Sequence, residues 1–273
     1  MKKSINMAIN IIFFFLTLLF IYINNPLKDN LISLNNIFFL VPIFILIHII
    51  KCFRQYLLLI ESGIHMGDFI KIYIKTTFCS IILPYKSGEL YKAYEYGYKV
   101  NNYMKGLLTV VVDKFLDAIL LLFIFIPYEI KTGNNISQIT WILLSFTIIF
   151  CVVYISFETT YYYLNKHFIK KNNAKRNIFV LKLLEQGHDL YDYVNVLIKG
   201  RVLLLLIFTV MAWALEWLFI YILNGGNFID YINAIFFGNQ NYVFSNYVIV
   251  GIICFIIFEI IFFIRKCGNN KWK

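Results

Sequence analysis

GLLTVVVDKFLDAILLLFIFIP, residues 106–127, is a run of 22 residues in which only Asp113, Lys114 and Asp117 are charged. About 18 or more nearly uncharged residues suffice to cross a hydrocarbon core of roughly 30 Å. The apolar residues do not alternate, so the run reads as a helix and not as a barrel strand; in lipid, backbone donors and acceptors must be satisfied within the segment. Five further runs have the same character, at 5–23, 31–53, 139–157, 202–223 and 247–264. The expected fold is all-α: a polytopic membrane protein of about six transmembrane helices in a single integral membrane domain spanning 1–273. The composition agrees. With 60% hydrophobic and only 15% charged residues, the chain lacks the charge a soluble domain of 273 residues needs to cover its surface. The first run follows Lys2 and Lys3, but it leads into Asn24, Asn25 and Pro26 without a small-residue cleavage pattern, and it is read as a retained helix.

Orientation follows from the basic residues. With the N-terminus in the cytoplasm, the outer loops at 24–35, 128–138 and 224–246 hold only Lys28 and Lys131. The inner side receives Lys51, Arg54, the lysines between 71 and 105, a dense basic loop from Lys166 to Arg201, and Arg265, Lys266, Lys271 and Lys273. Both termini are therefore expected in the cytoplasm, in the cell inner (cytoplasmic) membrane. The formal charge of +10 is read as topology, with no nucleic acid partner. The cluster Lys170, Lys171, Lys175 and Arg176 also suits an anionic membrane surface. The five cysteines and four histidines lack ligand spacing, so neither a metal site nor a cofactor is expected.

Residues 69–84, FIKIYIKTTFCSIILP, do not fit a plain bundle. Lys71 and Lys75 interrupt them, and the clean part is too short to span. Counting them as a crossing would also put the basic loop outside. They are read as a re-entrant or interfacial helical element that turns at Pro84, and non-spanning backbone at membrane depth belongs beside protein or a wet cavity. After the turn, in LPYKSGELYKAYEYGYKV (83–100), Ser87 or Gly88 opens a helix with Glu89 in its first turn, favoured by the helix dipole. Glu89, Lys92, Glu95 and Lys99 then share one charged face. Asp113 and Asp117 share a face of the third span, with Lys114 pointing to another. Each costs roughly 2.5 to 3.5 kcal/mol in hydrocarbon unless paired or hydrated. Glu216, between Trp213 and Trp217, and Glu259 are further acids inside apolar runs.

The order of a helix carrying Phe53 and Arg54, a hydrophobic element, the turn LPYKSGELYKAY, and a helix with Asp113, Lys114 and Asp117 resembles the transmembrane domain of the lysylphosphatidylglycerol synthase/flippase family. The family's turn reads approximately P-G-R-x-G-E-x-x-R-A, matched here by Pro84, Lys86, Gly88, Glu89, Lys92 and Ala93. The later acidic-basic pair falls on Asp113 and Lys114, with Asp117 following, and a Trp and Glu of a later helix fall on Trp213 and Glu216. The resemblance covers roughly residues 40–220. Lysines stand where the motif has arginines, keeping charge but losing the bidentate fork, and no second Pro/Gly-rich re-entrant segment is seen at 224–246. The resemblance implies a flippase-like protein that translocates a lipid with an anionic or zwitterionic headgroup, either an aminoacylated phospholipid or a lipid-linked glycan intermediate. Lys86, Gly88, Glu89, Lys92, Asp113, Lys114, Asp117 and Glu216 would form the headgroup site and Pro84 the structural turn. No catalytic motif is found, so a non-enzymatic role is expected, with envelope-biosynthesis enzymes as partners. The alternatives are a membrane glycosyltransferase or accessory subunit in envelope polysaccharide assembly, and a degenerate structural subunit.

Overall fold

The computed structural model describes residues 2–24, 34–83, 87–133, 136–170, 175–223, 228, 231–232 and 242–269. Among them every regular element is helical: α1 (Lys2–Asn24), α2 (Leu34–Leu59), α3 (Met66–Ile82), α4 (Ser87–Val100), α5 (Tyr103–Thr132), α6 (Gln138–Lys170), α7 (Lys175–Ile222) and α8 (Tyr242–Asn269). The chain has the expected all-α membrane fold. The described parts of the six apolar runs fall on α1, α2, α5, α6, α7 and α8, which extend past most of them; residues 31–33 lie outside the described part and Leu223 just beyond α7. Among the described residues, four helical segments are long and apolar enough by themselves to cross a membrane: Ser4–Tyr22, Ile37–Ser62, Gln138–Ile169 and Gly200–Ile222. Ser245–Ile261 is a shorter apolar helix, and α5, whose apolar run is interrupted by Asp113, Lys114 and Asp117, is not among the four. Large apolar side chains such as Phe14, Phe15, Leu19, Ile149, Val152 and Leu203 are exposed, as suits a surface solvated by hydrocarbon.

The described residues form two compact units, one from Met1–Leu107 and Val210–Lys273, the other from Leu108–Thr209. In the first, α2 closes through a single 3-10 turn, Ile60–Ser62, onto Gly63, whose φ of +69° suits glycine. His65 then caps α3, its Nδ1 accepting the Gly67 N–H at 3.3 Å. At the far end Leu83 is extended, as a residue before proline must be.

Residues 69–82 of the segment expected to be re-entrant or interfacial lie in α3, which forms an antiparallel hairpin with α4. Its contacts step in opposite directions along the two helices, from Ser80–Glu89 through Lys75–Glu95 to Asp68–Lys99. Gly88 allows this closeness, because a Cβ there would stand 2.3 Å from the Ser80 Cα. α4 stops in a Schellman turn: Asn101 has a φ of +58°, and the Asn102 N–H donates to the Gly97 carbonyl at 3.0 Å. The Asn102 side chain then caps α5 by accepting the Lys105 N–H at 3.1 Å. Neighbouring helices grip the hairpin through stacked rings, Phe13 of α1 on Tyr91 at 4.4 Å and Phe255 of α8 on Phe78 at 4.0 Å.

In the second unit, the segment predicted as a basic loop is mostly helix. α6 runs on to Lys170, and α7 begins at Lys175. At about 1.5 Å per residue, the 33 residues of α6 reach about 50 Å, well beyond a hydrocarbon core of roughly 30 Å. Hydropathy registers only the apolar part of such a helix. Aromatic contacts hold the extension: Phe157 stacks on Tyr191 at 5.2 Å and Tyr161 on His188 at 4.3 Å, while the Tyr154 hydroxyl donates to Asn195. These contacts also run antiparallel. Where α5 passes to α6, the Glu129 Oε1 accepts from the Thr140 hydroxyl at 2.8 Å and the Ser137 N–H at 3.3 Å.

Candidate functional site

The first unit holds a ladder of polar and ionised side chains inside an otherwise apolar helix pack. α2 supplies His48, Lys51, Cys52 and Gln55, a spacing of three, one and three that brings them to one face of a helix. α3 supplies Tyr73, Lys75 and Ser80, and α4 supplies Glu89, Lys92, Glu95 and Tyr96. The last turns of α7 add Trp213 and Glu216, and α8 adds Tyr247.

From the hairpin turn downward, the Ser80 hydroxyl donates to the Glu89 Oε1 at 2.7 Å, and the Glu89 Oε2 meets the Lys92 ammonium at 3.4 Å. Lys92, almost fully buried, lies over the Tyr73 ring, 5.4 Å from its centroid. The Tyr73 hydroxyl is 3.2 Å from His48 Nδ1, and the Tyr247 hydroxyl is 3.3 Å from His48 Nε2. One turn further along α2, Lys51 pairs with Glu216 and sits 5.5 Å above the centre of the Trp213 ring. Lys75 joins Glu95 at 3.2 Å and donates to Asn10 of α1 at 2.7 Å. The Tyr96 hydroxyl donates to Gln55 at 2.8 Å, beside the fully buried Arg54. Unpaired charges in this setting would cost several kcal/mol apiece. The pairing explains why they are tolerated.

At the exposed end of the hairpin, Lys99 meets Asp68 at 2.9 Å and holds its carboxyl below the ordinary range, chiefly by hydrogen bonding. The four residues expected to form one charged face of α4 thus do share a face. That face is turned toward α3, where Glu95 and Lys99 find partners, while Glu89 and Lys92 pair with each other.

Beside the ladder, α2, α3 and α8 enclose a groove of about 190 Å³ with an almost wholly apolar lining. Phe44, Phe78 and Phe255 form much of its wall. Gly251 leaves room, since a Cβ there would touch Phe44 at 3.4 Å. His48 and Tyr73 belong to both groove and ladder.

The sequence-predicted residues divide between the units. Gly88, Glu89, Lys92 and Glu216 lie in the first; Pro84 and Lys86 lie outside the described residues, as does most of 224–246. Asp113, Lys114 and Asp117 lie in the second. Asp113 is fully buried, and the Lys114 ammonium approaches Asp113 at 3.6 Å and Asp117 at 3.5 Å. Lys114 was expected to point away from the two acids; its long stem lets the ammonium reach back to both. Of the two tryptophans flanking Glu216, Trp213 is buried with it, and Trp217 is exposed. Sequence reasoning missed His48, Lys51, Tyr73 and Tyr247 as members of one network. The available signal was the shared helical face of His48, Lys51 and Gln55, which was hidden because Lys51 and Arg54 read as cytoplasmic boundary charges.

No match is found among curated proteins or among solved structures. A family model does match, over residues 7–226, described as the lysylphosphatidylglycerol synthase TM region. The match takes in the hairpin, α5 with its charged triplet, and the Trp213–Glu216 segment. This multi-pass membrane protein belongs to the lysylphosphatidylglycerol synthase TM region family.

Proposed function

We propose that the protein binds a lipid by its charged headgroup and moves it between the leaflets of the cytoplasmic membrane, through six crossings with both ends in the cytoplasm. The observation that carries this reading is the meeting of groove and ladder at His48 and Tyr73. A lipid presents a hydrocarbon chain and a polar head joined at one point, and the first unit has an apolar groove and an ionised ladder joined likewise. In this reading Lys92 and Lys51 meet a headgroup phosphate, with Lys86 of the turn as a further cation. Glu89 and Glu216 balance those lysines or receive a headgroup amine. The Asp113–Lys114–Asp117 triplet is a second candidate cluster, considered on its own unit.

The test is translocation of a headgroup-labelled anionic phospholipid in vesicles containing the purified protein. Lys92→Met and Glu89→Gln are each expected to slow it at least about tenfold, the factor for about 1.4 kcal/mol. Normal rates in both variants would sink the assignment. Formation of a glycolipid from nucleotide-sugar and polyprenyl phosphate by the protein alone would instead favour the glycosyltransferase alternative.

A further inference from the structure

His48 is placed differently from the other ladder residues, because both of its ring nitrogens engage hydroxyls from other helices. Nδ1 faces the Tyr73 hydroxyl on α3 at 3.2 Å, and Nε2 faces the Tyr247 hydroxyl on α8 at 3.3 Å. An imidazole can take a proton at one nitrogen and release one from the other, and a hydroxyl can both donate and accept. Tyr73, His48 and Tyr247 therefore form an unbroken path for a proton between two helices, with the ring as its centre.

The two ends of this path share a second feature. Beyond Tyr73, one turn along α3, the Thr77 hydroxyl is buried at the groove without a hydrogen-bond partner. The buried Thr76 and Thr209 instead bond back to carbonyls of their own helices, at 2.8 and 2.7 Å. Beyond Tyr247, the ring of Tyr231 packs edge-on at 5.9 Å, its hydroxyl buried, and the amide of the fully buried Asn246 makes no hydrogen bond. Buried polar atoms in native proteins are nearly always satisfied, by water where protein does not serve. The path thus has a buried polar atom calling for a partner near each end and a half-buried imidazole in the middle. Ionisable side chains inside membrane segments mark substrate, ion and proton pathways.

We infer that His48 passes protons across the middle of the first unit and that lipid movement is coupled to this transfer, the coupling resting on the lipid reading above. The Tyr247 hydroxyl gives its proton to Nε2 and is resupplied by water at the Tyr231 and Asn246 end. Nδ1 gives its proton to Tyr73, which releases one to water at the Thr77 end; no net charge stays on the relay, and the ring must return from the Nε2–H to the Nδ1–H tautomer before the next proton passes. The other groups facing the ring are Lys51 and Cys52 from its own helix and Lys92 from α4, with Glu216 of α7 held on Lys51. Both lysines act electrostatically on the ring, and a phosphate drawing either one away would change the field at His48. That is the physical link between headgroup and proton.

The experiment uses the full chain in phosphatidylglycerol–phosphatidylethanolamine vesicles with a pH-sensitive dye inside and the membrane potential clamped. After an external acid step, wild-type vesicles should acidify faster than vesicles carrying His48→Gln, whose amide keeps two hydrogen-bonding positions but cannot relay. Tyr247→Phe, which removes one oxygen and keeps the ring packing, should behave like His48→Gln and serves if the latter fails to fold. In the lipid arm, a gradient of about one pH unit can sustain up to about tenfold lipid asymmetry per coupled proton. The ratio of movement with and without the gradient should exceed one for wild type and fall to one in both variants. Equal proton entry in wild type and variants overturns the relay. Proton entry that depends on His48, without lipid movement, keeps the relay and sinks the lipid reading and the coupling. Lipid movement indifferent to the gradient sinks the coupling and leaves the lipid reading standing.

Discussion

The hairpin α3–α4 and the hairpin of α6 with the first part of α7 are both antiparallel helix pairs, and they solve opposite problems. In the short one, charged side chains point inward, with Lys92 and Glu95 buried and helix backbones close enough to require Gly88. In the long one, charged side chains such as Glu158, Glu185 and Asp192 are exposed and stacked rings set the spacing, with the Phe157 ring nearest Gly187. A backbone contact cannot yield and a ring contact can, and a buried ion pair cannot be solvated while an exposed one can. The same kind of substitution should therefore have unequal effects in the two places.

The largest difference is expected at the glycines. Gly88→Ala puts a methyl 2.3 Å from the Ser80 backbone and should destabilise by about 3 kcal/mol, the upper end of ordinary overpacking, or abolish folding. Gly187→Ala meets the Phe157 Cζ at 3.1 Å, which a small ring rotation relieves, and helix propensity returns up to about 1 kcal/mol. Thermal unfolding in detergent compares the two, and equal losses would break the contrast.

Next come the ion pairs. Lys92→Met leaves Glu89 buried without that partner and should cost about 3 kcal/mol. Asp192→Asn, at the exposed His188–Asp192 contact of 3.7 Å, should stay within about 0.5 kcal/mol. Comparable melting shifts would show that the short hairpin admits water.

A smaller effect, about 1 kcal/mol, is expected for Tyr154→Phe, which removes the hydroxyl bonded to Asn195. Hydrogen exchange should accelerate along α6 and α7 while α3 and α4 keep their protection.

The smallest concerns the exposed mouth of the short hairpin. Lys99→Ala should let the Asp68 carboxyl rise to its ordinary range, read by carboxyl NMR titration. Because the folded value is the lower one, this pair's support is present above the unfolded carboxylate range and is lost as pH falls through the folded value. An unchanged titration would show that Lys71 or His65 holds the carboxylate instead.

How far the residues alone foretold this arrangement varies with the range of the interaction. The helices were legible because hydropathy and spacing are local averages, and the turn-back after residue 82 was legible because Lys71, Lys75 and Pro84 make a full crossing costly. The extension of α6 and α7 was not, since a polar stretch of helix looks like a loop to hydropathy. Among the candidate residues, Gly88, Glu89 and Lys92 were singled out through their motif, and Glu216 because an acid in an apolar run needs a reason.

By itself, then, the amino-acid sequence determined an all-α membrane chain and its family, with a charged turn and a charged third span. Only the tertiary structure decided which charges turn inward and whom they meet. Lys51 finds Glu216 across 165 residues and His48 finds Tyr247 across 199, distances at which spacing carries no information. The physical reason is that helix formation is settled by backbone hydrogen bonds within a few residues. Pairing of buried charges is settled by which helix faces come together, and a lysine at the end of an apolar run reads the same whether it meets water or a buried carboxylate.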